Sequence, residues 1–190
     1  MPFSPSARTV RAAARGDQEA WNELVERYSG LLWGIARAHR LGTGDAADVV
    51  QTSWLRLVEH LVDVRNPDGI GSWLATTARR ESLRTLRRSS RSEPSDAIDA
   101  LPDPALTDVD ARLLRDERDA ALSRAFERLP ARDQALLRLL TTEPAPSYEE
   151  ISAALAMPIG SIGPTRGRAL ARLRRELRRA GTLDMARDMS

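Results

Sequence analysis

One stretch restricts this chain more than any other. Ser147-Tyr148-Glu149-Glu150-Ile151-Ser152-Ala153-Ala154-Leu155 is followed, four residues later, by Gly160-Ser161-Ile162-Gly163-Pro164-Thr165-Arg166-Gly167-Arg168, and an arginine-laden apolar repeat runs on to about Ala180. Ser147 with Glu150 three residues later is a capping-box pattern, which satisfies two free N–H groups at a helix start. Ile151 and Leu155, four apart, share one face of a helix of barely two turns. That helix should stop near Ala156, because the residue before Pro158 is pushed out of the helical region. Ala153 and Ala154 let a second helix approach, and Ile159 and Ile162 are placed to close the corner. Ser161 is then the expected N-cap of the second helix, which puts Pro164 at N3, where no intrahelical bond is lost. Beyond it Ile162, Ala169, Leu173 and Leu177 make the expected buried stripe, with Leu170 beside it. The whole reads as a helix-turn-helix.

Its second helix is strongly basic. Arg166 to Arg179 holds seven arginines against one acid, Glu176. The first turns of such a helix reach base edges in a DNA major groove, so Thr165, Arg166 and Arg168 are the expected base readers. Arg172, Arg174, Arg175 and Arg178 are expected at phosphate, and the N–H groups around Tyr148 could hold a backbone phosphate.

A second basic run, Arg79 to Arg91, holds six arginines against Glu81, whereas Ser92 to Asp110 contains six acids and no base. Two cationic surfaces separated by an acidic stretch suggest two contacts with one polyanion, so the formal net charge of +2 understates the affinity for nucleic acid. Aromatic residues are only 4% of the chain, and the apolar content is dominated by Ala and Leu, which favours helices over sheets. There is no cysteine, hence no disulfide framework or thiolate metal site. No apolar run reaches 18 residues, so no membrane insertion is expected and a soluble, cytoplasmic location is the default.

The front of the chain divides at its glycines. Trp21, Leu24, Val25, Tyr28, Leu31, Leu32 and Ile35 hold helical spacing, and Gly16 should separate a short first helix from this longer one. After Gly42-Thr43-Gly44, Asp45 is the expected N-cap of a helix carrying Val49, Val50, Trp54, Leu57, Val58 and Leu61. Asn66-Pro67-Asp68-Gly69 marks a turn. A third helix follows, with Ile70, Trp73, Leu74, Leu83 and Leu86 on its apolar side, and fades at Ser89-Ser90. Trp21, Trp33 and Trp54 fall on apolar stripes and belong in the core; Trp73 lies beside the turn and is less committed to it. Helical patterning resumes with Leu113, Leu114, Ala121, Leu122, Ala125 and Phe126.

Enzymatic chemistry finds no footing. His39 and His60 are the only histidines, 21 residues apart and outside any metal-spaced cluster. Asp45/Asp48 and Glu149/Glu150 fit helix-start electrostatics better than paired catalytic carboxylates. No catalytic residue, metal ligand or cofactor is assigned.

Read in order, Asp45-Ala46-Ala47-Asp48-Val49-Val50-Gln51-Thr52-Ser53-Trp54-Leu55-Arg56, Gly71-Ser72-Trp73-Leu74-Ala75-Thr76-Thr77-Ala78-Arg79-Arg80, Leu129-Pro130-Ala131-Arg132-Asp133 and the helix-turn-helix resemble a sigma factor of bacterial RNA polymerase, of the extracytoplasmic-function group of the sigma-70 family. The resemblance implies an all-α fold of two small helical domains joined by a flexible linker. Residues 10–90 would bind core polymerase and recognise the promoter −10 element. Residues 91–112 would be the acidic linker, 113–180 the −35-reading domain and 181–190 a frayed tail. It implies that Asp48, Gln51, Thr52 and Arg56 dock the clamp of the largest catalytic subunits. Arg65, Asn66 and Asp68 would surround an extruded −10 base, with Asn66 reading its edge, and Arg79, Arg80, Arg84, Arg87 and Arg88 would follow the DNA backbone. Tyr148, Thr165, Arg166, Arg168, Arg172 and Arg175 would engage the −35 duplex. An anti-sigma protein is a further partner that the resemblance admits. Gly163, Pro164 and Gly167 depart from the common pattern, which implies a −35 preference of its own. A stand-alone helix-turn-helix regulator and a helical protein-interaction module are the competing readings.

Overall fold

A computed structural model describes residues 7–64, 66–89 and 119–180. Among these residues the regular structure is entirely helical. The front helices are α1 (Ala7–Ala14), α2 (Gln18–Ala38), α3 (Thr43–His60) and α4 (Ile70–Ser89). Residues 119–127 form α5, followed by α6 (Ala131–Leu140), α7 (Tyr148–Leu155) and α8 (Ile159–Arg179). The expected linker at 91–112 and tail at 181–190 lie outside the described residues, as does Arg65.

Each boundary has a local cause. Gly16 takes φ 87°, a left-handed conformation that suits glycine, and so ends α1 as expected. Asp17 then caps α2, its side chain accepting from the N–H groups of Glu19 and Ala20. At α3 the outcome differs from expectation. The cap is Gly42, without a side-chain bond, and Asp45 sits inside the first turn. Helix geometry continues back through Thr43 and Gly44, so Asp45 acts on the free N–H end through its charge instead. The turn after α3 is two single turns of 3-10 helix, Leu61–Asp63 and Pro67–Gly69.

Contacts divide the chain into two packing units. One comprises residues 1–99 with 135–162, the other 100–134 with 163–190. The first owns the larger core, built from Leu24, Tyr28, Leu31, Leu32 and Ile35 of α2, Val49, Val50 and Leu57 of α3, and Ile70, Leu74, Ala75 and Ala78 of α4. Trp21, Trp33 and Trp54 pack against it, half-buried, as their stripe positions predict. Leu139 and Ala154 belong to the same core, so α6 and α7 extend it. Close to them, Leu136, Ile151, Met157 and Ile162 form a small second cluster that locks the helix-turn-helix corner. In the other unit, Ala121, Ala125 and Leu129 are buried, and Gln134 donates to the carbonyls of Glu127 and Leu129 at 2.9 and 2.8 Å.

Candidate nucleic-acid interface

The face of α3 that turns away from the core carries Asp48, Gln51, Leu55 and Val58, all exposed, with Thr52 half-buried at its edge, and exposed Val62 follows in the 3-10 turn. At 3.6 residues per turn these positions fall within one narrow strip. Val58 therefore leaves the apolar stripe on which sequence spacing placed it. Val49, Val50, Leu57 and Leu61 already fill the core side, and Val58 lies roughly a quarter-turn beyond them. An exposed apolar strip framed by polar groups has the make-up of a protein-docking surface. Leu55 and Val62 were not singled out from sequence. Their i, i+3, i+7 spacing with Val58 was the available signal, masked by the stronger stripe beside it. Arg56 is engaged within the domain, its Nη2 lying 2.9 Å from the Glu81 carboxylate, which also meets Arg84 at 3.6 Å.

Next in the chain, Asn66 stands exposed with extended backbone (φ −118°, ψ 93°), the conformation that a following proline favours. Asp68 is exposed beside it. Trp73, 36% exposed, meets the His60 ring edge-on at 5.9 Å. It is the tryptophan left outside the core, and the histidine holds its plane near the turn. Along α4, Arg80, Arg84, Arg87 and Arg88 are exposed, whereas Arg79 is half-buried. Arg79 also acts on His39. Burial first, and then the Arg79 charge, hold the His39 imidazole below its ordinary value.

The helix-turn-helix keeps its expected first half. Ser147 Oγ accepts from the Glu150 N–H at 3.2 Å, and Glu150 Oε2 accepts from the Ser147 N–H at 2.7 Å. Tyr148 is exposed on the first turn, and Ala156 ends α7 in a left-handed conformation at φ 48°. The second half departs from expectation in three respects. α8 begins at Ile159, three residues early, and the Ser161 hydroxyl donates to the Pro158 carbonyl at 2.7 Å instead of capping. Pro164 is therefore inside the helix and leaves the Gly160 carbonyl without its i+4 donor. Ile159 is exposed, and Met157 closes the corner in its place.

Thr165 is the third departure. It is 8% exposed, because it lies on the same face as Ile162 and Ala169, three and four residues away. Its Oγ1 accepts from Arg168 Nη2 at 3.1 Å, so it orients the Arg168 guanidinium. Of the expected stripe, Ile162 and Ala169 are buried, while Leu173 and Leu177 are half-buried. Arg166 and Arg168 are exposed. Arg168, Arg172, Arg174, Arg175 and Arg178 line, with Ala171, a shallow groove of about 520 Å³. Arg172 is held by the buried carboxylate of Asp133, and Glu176 receives Arg179 at 2.9 Å and Arg128 at 3.8 Å. These acids fix the direction of side chains that would otherwise sample many rotamers. Among the described residues no group of His, Asp and Glu has the arrangement of a metal site.

Comparison with known proteins follows the same lines. Residues 24–92 match the family model described as sigma-70 region 2. The chain is 28% identical over 162 residues to the ECF RNA polymerase sigma-E factors of Salmonella typhimurium and of Escherichia coli K12, covering 80% of this chain and 84% of each relative. It is 26% identical, over the same length, to the RNA polymerase sigma-H factor of Pseudomonas aeruginosa. Among solved structures, CnrH in complex with the cytosolic domain of CnrY superposes with a TM-score of 0.55 at 24% identity, covering 89% of this chain and 94% of that one.

Proposed function

This chain belongs to the extracytoplasmic-function group of the sigma-70 family, and from that premise we propose how its surfaces divide the work of initiation. It is a sigma factor that binds core RNA polymerase and directs it to promoters. The α3 strip of Asp48, Gln51, Thr52, Leu55 and Val58, continued by Val62 in the following turn, docks the polymerase clamp, its apolar centre contributing affinity and its polar groups setting orientation. Arg56 supports that strip through Glu81. Asn66 reads an extruded −10 base, with Asp68 and Trp73 beside it, and the exposed arginines of α4 hold the strand by its phosphates. Extrusion costs a few kcal/mol per base, which stacking and phosphate contacts must offset.

The rear reading helix engages the −35 duplex through Arg166 and Arg168, with Arg172 and Arg175 on phosphate and Tyr148 at the backbone. Residues 10–90 and 113–180 are the functional halves of this assignment, and 91–112 joins them. The protein lends polymerase no catalytic group of its own, and it acts in the cytoplasm, where polymerase and chromosome meet. An anti-sigma protein that covers these surfaces is its expected regulator. The observation that carries the reading is the adjacency, within residues 24–92, of an exposed α3 docking strip, an open Asn66 turn and an arginine-bearing helix.

Transcription in vitro with purified core polymerase tests it. Promoter-specific initiation should occur only when this chain is added. Duplex binding that persists without polymerase, and no initiation, would instead indicate a stand-alone regulator.

A further inference from the structure

α4 carries several arginines but a single acid, Glu81. Arg80, Arg84, Arg87 and Arg88 recur at helical spacing and share one exposed face. Glu81 stands at the border of that face with its side chain 14% exposed, while Arg84, three residues on, is 58% exposed. The two carboxylate oxygens are divided between two helices. Oε1 meets Arg56 Nη2 of α3 at 2.9 Å, and Oε2 meets Arg84 Nη1 at 3.6 Å. Arg56 is the only arginine of α3. It lies one turn after Thr52, at the edge of the docking strip, on the side where α3 packs against α4.

An acid inside a row of cations works against phosphate binding. It repels the phosphate and neutralises the arginine that it touches, and a carboxylate mostly withdrawn from water is poorly screened by salt. Arg56 changes this balance. One carboxylate against two guanidiniums leaves one positive charge, and the shorter contact is the one that leads away from the arginine row. The Glu81 charge is therefore taken up by α3, and Arg84 keeps its own. A guanidinium has five N–H donors, so Arg84 can hold Glu81 with one edge and offer the rest outward. α8 makes the opposite choice. Its single acid, Glu176, is closer to Arg179 of the same helix, at 2.9 Å, than to Arg128, at 3.8 Å.

We propose that Arg56 is a positioning residue for strand binding: by neutralising Glu81 it leaves Arg84 available to a phosphate of the extruded single strand. Arg56 thus acts on DNA through Glu81 and Arg84, and not by contact with the polymerase clamp. The strand that α4 holds comes from the sigma-factor reading, whereas the charge balance among the three side chains does not depend on it. Without Arg56, Glu81 has Arg84 as its remaining partner, and the middle of the arginine row becomes a closed pair with no net charge. Without both Arg56 and Glu81, Arg84 recovers its charge.

The test uses core polymerase assembled with the full-length chain and a fluorescein-labelled single-stranded DNA of randomised sequence, with core polymerase alone as the baseline. Anisotropy titrations at several salt concentrations give the affinity and its salt slope. Arg56→Ala should lower strand affinity roughly fourfold at ~0.15 M salt and flatten the slope by about 0.7, the equivalent of one phosphate on a single strand. Arg56→Gln, which keeps more of the packing, should match it, and Arg56→Lys should retain the wild-type slope. Arg84→Ala should give the same loss, and combining it with Arg56→Ala should cost no more than either alone. Glu81→Gln should restore the slope when added to Arg56→Ala, and by itself should bind the strand no more weakly than wild type. A loss that persists in the Arg56→Ala/Glu81→Gln double variant would overturn the proposal. So would weaker core binding with an unchanged strand slope, which would make Arg56 a clamp contact, or a lower melting temperature with no change in slope, which would make the pair structural only. If no complex with core polymerase forms, the sigma-factor reading fails, and the same titrations on the full-length chain alone decide the charge balance.

Discussion

Two arginine-bearing helices of nearly equal length, α4 and α8, are held in very different ways. α4 buries Ile70, Gly71, Leu74, Ala75, Thr77, Ala78 and Ser82, which gives it an anchored face along most of its length. On α8 only Ile162, Thr165 and Ala169 are buried, and its first half contains Gly160, Gly163, Pro164 and Gly167. Glycine and proline weaken that half by propensity, and little packing is present to compensate. α4 is a prebuilt platform, suited to holding a strand whose shape changes during melting. The start of α8 is a helix that its own sequence supports only weakly. The two helices thus differ in how firmly they are anchored, by how many side chains each buries.

The largest expected effect comes from breaking the anchored side. Leu74→Ala, at a fully buried position, should cost about 2–5 kcal/mol of stability, whereas Leu173→Ala on half-buried α8 should cost well under half as much. Equal losses in denaturant titrations of the two variants would erase the distinction. Next come the readers. Arg166→Ala and Arg168→Ala should each relax −35 specificity by about 1–3 kcal/mol when affinities are compared across base substitutions. Arg88→Ala on α4 should weaken binding evenly across sequences and lower the salt slope by about one unit.

A smaller effect sharpens the contrast within α8. Gly163 and Gly167 have open space where a Cβ would go, so alanine at either should stabilise the helix by about 0.5–1 kcal/mol. If DNA approaches the backbone there, the same variants should bind the −35 duplex more weakly despite melting later. Unchanged binding would remove these glycines from the interface.

The smallest effect concerns His39, next to the anchored helix. Its folded value is depressed, first by burial and then by Arg79, so the folded protein disfavours the proton that the unfolded chain accepts near pH 6.5. The contribution is present above that pH and is lost as pH falls through the folded value. Melting temperature should therefore drop on mild acidification, and His39→Gln should flatten that part of the profile.

Much of the fold was legible because its causes are local. Ser147 and Glu150 are three residues apart, and the capping box formed as spacing requires. Gly16, the Asn66–Gly69 turn and the α2 stripe, apart from Val25, which is exposed, are equally readable, since each depends on a residue's own backbone preference or on helical period. The failures share a different origin. Ser161 is the cap that the motif allows, but the helix starts three residues earlier, so Pro164 is internal. Position in the helix makes Thr165 a reader, yet it lies on the buried side of α8 between Ile162 and Ala169. Val58 was assigned to the core because it is apolar, although the strip was already full.

From sequence alone, then, came the all-helical character, the capping of α7, the two arginine runs and the family, because propensity, period and charge order act over a few residues or survive as linear motifs. Tertiary structure alone decided which face of α3 remains open, that Asp133 holds Arg172, and that Glu150 meets Arg27 across 123 residues. Such pairings are set by which surfaces come together, and no local preference of either partner encodes the other.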